Sequence, residues 1–316
     1  MQHTTSIDQI QLQDSFVTIG SFDGVHRGHQ TLIREMVQNA HEQGSPAVVV
    51  TFFPHPIVVL KNLHRPFYLT TPEERAELIG SLGVDQVITL QFNHQLAGYT
   101  ARQFMTLLSD HLGLRELWVG SDFALGRGRE GTPQVLGEIG QDLGYTVHTV
   151  SPITAAGEKI SSSQIRALLA QGDIQEVARQ LGRWYSLEAV VTYGDSRGSK
   201  LGFPTANLDL APERLLPLSG VYACRAYIGD AVYQTVTNIG VRPTFESEPV
   251  LPRVEAHLIH FQGNLYEEPL RLEFIDFIRP EMRFSSVEML IQQIQSDIQR
   301  TLEVLPNASQ TPDLSA

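Results

Sequence analysis

Two histidines three residues apart, His26 and His29, stand just after the run Gly20-Ser21-Phe22-Asp23-Gly24. An apolar segment precedes this run and an amphipathic one follows, so the pair falls between an expected strand and an expected helix. In an open α/β sheet that junction is where ligands bind. Glycines let the backbone approach a phosphate, and a helix N-terminus supplies N–H donors and the positive end of a dipole. On a first helical turn both imidazoles face the same way and can donate to phosphate oxygens as charge builds in a transition state. Taken singly, such glycines make a turn and such a histidine is structural. Together, on a strand–loop–helix, they point to phosphate chemistry. The spacing matches neither G-x-x-x-x-G-K-[ST] nor G-x-G-x-x-G.

A second run, Gly194-Asp195-Ser196-Arg197-Gly198-Ser199-Lys200-Leu201-Gly202-Phe203-Pro204-Thr205-Ala206-Asn207, places glycines and two cations before a rigid proline. Such a loop wraps a polyphosphate with backbone N–H groups. Thr205 and Asn207 offer hard oxygens two residues apart, suited to a Mg²⁺ that already carries phosphate ligands. A Gly-rich hairpin before a strand is the plainer alternative. A third stretch, Lys159-Ile160-Ser161-Ser162-Ser163-Gln164-Ile165-Arg166, aims three hydroxyls and two cations from a helix start, and Ser161 with Gln164 also satisfies a capping box.

These groups need rigid elements to hold them. Phe16 to Gly20, Ala47 to Phe53, Val84 to Leu90, Glu116 to Gly120 and Tyr145 to Val150 read as strands. Helices are expected from about Gly28, with Leu32, Ile33, Met36, Val37 and Ala40 on one face, after Thr71-Pro72-Glu73-Glu74, and from Thr100 with Gln103 to about Leu112. Apolar strands alternating with helices predict a doubly wound α/β domain with a parallel sheet covered on both faces. The rhythm changes after about Gly182. Val221 to Ile228, Val254 to Phe261 and Leu270 to Ile278 alternate as strands, with Leu270, Leu272, Phe274 and Ile278 expected on one face. Gly/Pro punctuation suggests a small antiparallel β-barrel. A closing helix is expected, capped by Ser285 with Glu288 and burying Val287, Leu290, Ile291, Ile294, Ile298 and Leu302. The last ten residues read as a loose tail. The expected domains are residues 1–182 and 183–316.

Composition narrows the function classes. The net charge of -12 argues against a nucleic-acid or membrane-surface binder, whose affinity needs a basic face, so any phosphate site must be local. Cys224 is the only cysteine and forms no internal disulfide, which suits a reducing, cytoplasmic setting; a small buried residue is its expected role. The polar N-terminus carries no apolar leader, and no apolar run is long enough for a membrane span.

The first run resembles the HxGH nucleotidyltransferases, in the flavin-adenylylating branch that carries G-x-F-D-G-V-H-x-G-H. The resemblance implies that His26 and His29 bind ATP phosphates and stabilise in-line attack on the α-phosphorus, with pyrophosphate leaving. It implies phosphate roles for Gly20, Ser21, Phe22, Asp23, Gly24, Ser161, Ser162, Ser163 and Arg166. Val119-Gly120-Ser121-Asp122-Phe123-Ala124-Leu125-Gly126 resembles a further segment of that branch and implies that Asp122 lies near the nucleotide. Thr51-Phe52-Phe53-Pro54-His55-Pro56 is similar to its T-F-[DE]-P-H-P stretch, with Phe53 where an acid is commoner.

The second run resembles the riboflavin kinase signature G-x-x-R-G-x-x-L-G-[FY]-P-T-A-N, supported by Asn238-Ile239-Gly240-Val241-Arg242-Pro243-Thr244-Phe245, Val254-Glu255-Ala256-His257 and Gln293-Ile294 with Asp297. This implies a barrel that binds MgATP and flavin. Gly194, Arg197, Gly198, Lys200 and Gly202 would lie on phosphate, Thr205 and Asn207 on the metal, and Glu255 would be the base. Two departures, Glu267 where Gly often follows the tyrosine and His260 where Asp or Asn is usual, predict an altered loop shape. Arg279 is expected as a solvated strand-end residue, with contact to flavin or phosphate as the alternative. Three functions follow. The first is a two-step enzyme converting riboflavin to FMN and FMN to FAD, with ATP as co-substrate. The second keeps the kinase but weakens or alters adenylyl transfer, as Phe53 suggests. The third is a flavin- or nucleotide-binding regulator, against which the retained histidines and Glu255 count.

Overall fold

The computed structural model describes residues 1–151, 154–155, 158–194, 198, 201–240 and 252–305. The chain divides into two compact units, Met1–Ser162 and Ser163–Ala316.

The first unit alternates strands and helices: β1 (Gln2–Thr4), β2 (Ser15–Ile19), α1 (Arg27–Glu42), β3 (Ala47–Phe53), α2 (Pro56–Leu60), α3 (Pro72–Gly80), β4 (Gln86–Gln91), α4 (His94–Ala97), α5 (Ala101–Leu112), β5 (Leu114–Gly120), α6 (Pro133–Leu143) and β6 (Thr146–Val150), followed by the short pair β7 (Thr154–Ala155) and β8 (Glu158–Lys159). Six parallel strands form one sheet in the order β1-β4-β3-β2-β5-β6. The continuous apolar run of β3 is divided by the pleat. Val48 and Val50 join a core with Leu108 and Leu112 of α5 and Leu136 of α6, while Val49 joins Ile33 and Met36 of α1 and Ile79 of α3. Both faces are therefore covered, as the run predicts. The helix starts follow their sequence signals. Thr71 and Thr100 both form complete capping boxes, with Glu74 and Gln103. The switch of strand order falls between β2 and β5, so the loops that follow these two strands diverge and leave a crevice.

The second unit holds α7 (Ser162–Gln171, its first residue in the first unit), α8 (Ile174–Leu181), β9 (Tyr185–Thr192), β10 (Ala206–Leu208), β11 (Gly220–Ile228), β12 (Ala231–Gly240), β13 (Arg253–Leu258), β14 (Pro269–Arg279) and α9 (Val287–Val304). The six strands close an antiparallel barrel in the order β10-β13-β12-β11-β14-β9, which leaves no open edge. Leu187, Tyr222, Ala256, Leu272 and Phe274 are fully buried in it. Cys224 is also fully buried, as a small core residue.

Three expectations are corrected. The period-two face of β14 ends at Phe274, because its register with β11 shifts between Ala223 and Cys224 and again between Val221 and Tyr222. Bulges of this kind reset the alternation, and Ile278 is only half-buried. The cap of α9 is Ser286, one residue later than expected; its side chain accepts from the Met289 N–H. Val287 is then 52% exposed, and the most buried residues of the helix are polar, Asp297 and Thr301. Leu290, Ile291, Ile294, Ile298 and Leu302 are half-buried. Arg279 is not solvated: it makes a bidentate pair with Asp297 at 2.7 and 2.9 Å, its side chain 15% exposed. The tail lies outside the described residues, as do Arg197, Lys200 and residues 241–251. Among the described residues, no helix is long and apolar enough to cross a membrane.

Candidate active sites

In the first unit, the loop between β2 and α1 sits on the β2 side of the crevice. His26 is the N-cap of α1, and its Nδ1 accepts from the His29 N–H at 3.3 Å. An accepting Nδ1 on a neutral ring assigns the proton to Nε2, which is then the donor of His26. The two imidazoles stack with centroids 3.6 Å apart, and the edge of Phe22 packs on His29 at 5.1 Å. A Cβ on Gly20 would press into the Phe22 ring, and one on Gly28 would come 3.2 Å from the His26 ring. These glycines thus make room for the aromatic stack that orients the histidines.

The loop backbone is strained. Phe22 has φ 45° and Val25 φ 41°, in the left-handed region, where a β-branched residue is an outlier. Each such residue costs on the order of 1–3 kcal/mol and persists only where its surroundings over-determine it. Those surroundings are a buried polar network. The Asp23 carboxylate, 1% exposed, accepts from the Leu69 and Thr70 N–H groups and from Thr70 Oγ1, each at 3.1 Å. Gly24 N–H donates to Thr70 Oγ1 at 3.1 Å, Thr51 Oγ1 to the Ser21 carbonyl at 3.0 Å, and Ser162 Oγ to the Asp23 carbonyl at 2.8 Å. Arg75 of α3, with no exposure, meets Asp23 at 3.6 Å and the Phe52 carbonyl at 3.0 Å.

The expected site residues therefore separate. Gly20, Phe22, His26 and His29 form one cluster, while Asp23 points its carboxylate inward to residues 69 and 70. Ser162 fastens the β2–α1 loop. Asp122 lies exposed on the loop after β5, across the switch point. Ser161 and Arg166 are half-buried, and Ser163 is exposed. Phe53 is half-buried with its ring 5.3 Å from Tyr68. Sequence reasoning missed Thr70 and Arg75. The signal for Arg75 was a charge one turn before Ile79 and beside Ala76, on the apolar face of an amphipathic helix.

In the second unit, strand register assembles the other constellation. Asn207 of β10 lies directly opposite Glu255 of β13, and Glu255 directly opposite Asn238 of β12. Residues paired this way share a face. Their neighbours along each strand, Ala206, Leu208, Val254 and Ala256, are buried, so the polar row lies on the outer face of the barrel wall. A Cβ on Gly194 would overlap the Asn207 amide, and one on Gly240 would overlap the Glu281 carboxylate. The loop before β10 is held by two bonds to the Gly198 carbonyl, from Leu201 N–H at 3.0 Å and Phe203 N–H at 2.9 Å, with Gly202 at φ 87°. His257 Nδ1 lies 2.8 Å from the Pro204 carbonyl and fixes the turn before Thr205. Gln293 Nε2 donates to Asp297, which joins it to the pair that ties α9 to the end of β14. Glu267 has φ 68° and His260 φ 62°, so both sequence departures occupy left-handed positions that Gly, Asn or Asp adopt more readily.

The model of the FAD synthetase family matches residues 8–164, and that of the riboflavin kinase family matches residues 181–305. The bifunctional riboflavin kinase/FMN adenylyltransferase of Listeria monocytogenes is 33% identical over 95% of this chain and 96% of its own length. That of Bacillus subtilis is 36% identical over 93% of each. The crystal structure of a macrolide-efflux protein from Streptococcus pneumoniae superposes with a TM-score of 0.86 at 28% identity, covering 95% of this chain and 98% of that one. Two family models in tandem, together with relatives of full length, show that this chain belongs to the bifunctional riboflavin kinase/FMN adenylyltransferase family.

Proposed function

We propose that the chain phosphorylates riboflavin to FMN and then transfers the adenylyl group of a second ATP to FMN, giving FAD and pyrophosphate. The observation that carries this reading is the survival of both constellations in one chain: the stacked histidine pair at a sheet switch point and the Asn207–Glu255 pair on a rigid barrel wall. Adenylyl transfer is assigned to residues 1–182 and phosphoryl transfer to residues 183–316.

In the first reaction Glu255 takes the proton from the ribityl 5′-hydroxyl as its oxygen attacks the γ-phosphorus of ATP, and the bond to the β–γ bridging oxygen breaks to release ADP. A carboxylate fixed on a strand suits this role, because a general base must sit within hydrogen-bond reach of its hydroxyl. The Gly194, Gly198 and Gly202 loop, with Arg197 and Lys200, receives the polyphosphate. Thr205 and Asn207 fit a Mg²⁺ that keeps water and phosphate ligands: both present oxygen, and the absent Cβ of Gly194 leaves the Asn207 amide its place. When bound, the ion neutralises charge between the phosphates. In the second reaction His26 and His29 donate to phosphate oxygens while the FMN phosphate attacks the α-phosphorus, and positioning and electrostatics supply the rate. The backbone of Gly20–Gly24, with Ser161, Ser162 and Asp122, completes that site within the first unit. The substrates are small molecules, and the single buried thiol suits a reducing cytoplasm.

The test is a time course with riboflavin, ATP and Mg²⁺, flavins being resolved by chromatography. FMN then FAD is the expected order. His29→Ala should stop FAD formation while FMN accumulates, with adenylyl transfer reduced ~10²–10³-fold. Glu255→Gln should block FMN formation yet leave FMN-to-FAD conversion intact. Loss of both steps in either folded variant contradicts the two-site reading.

A further inference from the structure

We infer that Arg75 and Thr70 are positioning residues for adenylyl transfer, holding the strained loop of the first unit in the shape that presents its backbone and histidines to phosphate. The inference rests on the proposed adenylyltransferase activity of that unit. Neither side chain is part of the histidine cluster. Arg75 is wholly buried and Thr70 is 2% exposed.

The geometry gives each a specific task. Thr70 Oγ1 is the junction of the network: it donates to Asp23 Oδ1, accepts from the Gly24 N–H at 3.1 Å, and lies 3.5 Å from Arg75 Nε. Arg75 spans from this junction to β3. Its Nη2 is 3.6 Å from Asp23, and its Nη1 lies 3.4 Å from Thr51 Oγ1 and 3.0 Å from the Phe52 carbonyl. Thr51 in turn donates to the Ser21 carbonyl. Ser21, Asp23 and Gly24 are thus each fixed, directly or through one intermediary, to a guanidinium that cannot lose its charge. Phe22 and Val25, at φ 45° and 41°, alternate with these anchored residues. Without the anchors the left-handed conformations have no support, and the chain relaxes toward ordinary dihedrals. The first casualty would be the order of the His26–His29 stack, which begins one residue after Val25.

A merely structural role makes a different forecast. Loss of fold stability lowers the melting temperature and leaves catalysis intact below it. Loss of positioning lowers kcat in a folded enzyme, since small displacements of reacting groups cost ~10²-fold. The experiment uses the full chain with Thr70→Val, Thr70→Ser and Arg75→Lys. FMN-to-FAD conversion is measured well below each variant's melting temperature, with riboflavin-to-FMN conversion as an internal control. Thr70→Val, nearly isosteric but without the hydroxyl, should lower kcat for FAD formation ~10–100-fold and change KM for ATP less. Arg75→Lys should do the same, while Thr70→Ser keeps the hydroxyl and most of the rate. FMN formation should be unchanged in all three. A Thr70→Val kcat within about twofold of the parent, or a parallel fall in FMN formation, overturns the inference. If Arg75→Lys does not fold, the Thr70 pair decides alone. If the parent chain makes FMN but no FAD from it, the adenylyltransferase reading fails first and this inference falls with it.

Discussion

At the scale of single residues, two glycines of the barrel unit press unequally on the polar row around Glu255. A Cβ on Gly194 would overlap the amide of Asn207, a short side chain in the row with Glu255. The whole amide must swing aside to admit it. Gly194→Ala is therefore expected to weaken Mg²⁺-dependent FMN formation ~10-fold or more through misplacement of the proposed ligand Asn207, with FMN-to-FAD conversion unchanged. A Cβ on Gly240 would meet mainly the end of Glu281, a long and exposed side chain that can turn into solvent, and would also come 3.0 Å from the amide of Asn238, opposite Glu255. Gly240 is buried, but Asn238 need give by only a few tenths of an ångström, so Gly240→Ala should lower kinase kcat less than Gly194→Ala does, by about threefold. Steady-state kinetics of both variants checks the contrast. The residues proposed for these sites are legible because their types and spacing are unusual: a histidine pair after glycines, and a Pro-Thr-Ala-Asn run after a basic glycine loop. Arg75 and Thr70 are not, because their roles come from contacts with Asp23, far away in the chain, and short-range spacing holds no trace of such a pairing.

At the scale of elements, helix starts were read best. Thr71 and Thr100 carry both halves of a capping box within four residues, so local hydrogen bonding alone decides them. The start of α9 differs by one residue because Ser285 and Ser286 compete; Ser286 takes the cap, and the Glu288 carboxyl is held below the usual range by hydrogen bonds from its own backbone N–H and then from Ser286. The bulges of β14 were illegible for another reason. Register belongs to a pair of strands, and β11 lies some fifty residues away in sequence, as the Cys224–Phe274 partnership shows. The connection from β13 to β14 gives the element-scale prediction. Glu267 at φ 68° donates its N–H to the Val191 carbonyl, so its backbone is fixed by β9 rather than by its side chain. An L-residue there costs roughly 1–2 kcal/mol, part of which glycine returns to the unfolded chain as entropy. Glu267→Gly should therefore stabilise the barrel by about 0.5–1 kcal/mol, seen as a raised melting temperature with FMN formation unaltered. A lowered melting temperature would show that the carboxylate, not the backbone, matters at this position.

At the scale of the whole molecule, two units with separate cores should answer separately to alkali. Burial pushes the Tyr145 phenol of the first unit up to about 12, and burial likewise raises Tyr222 and Cys224 of the barrel. The sign is set by which state releases the proton. Below pH ~10 the phenol is neutral in both states and its contribution is complete. Above that, the unfolded chain ionises while the folded one resists, so stability falls as pH rises from about 10 toward 12. For Tyr145 the loss is on the order of 2 kcal/mol by pH 12. The chain contains two tryptophans, and each unit holds one of them buried, Trp118 and Trp184. In Trp184→Phe, fluorescence in a urea titration follows the first unit; in Trp118→Phe it follows the second. Adding Tyr145→Phe should cost the first unit ~1 kcal/mol near neutrality, because the Leu136 carbonyl loses its 2.9 Å donor. The same change should flatten that unit's decline above pH ~10 and leave the barrel's decline as it was. Tyr222→Phe should act the other way round, removing the phenol that donates to the Leu218 carbonyl inside the barrel. If either change altered both limbs equally, unfolding would be one cooperative event for the whole chain, and two activities with separate sites would still share a single stability.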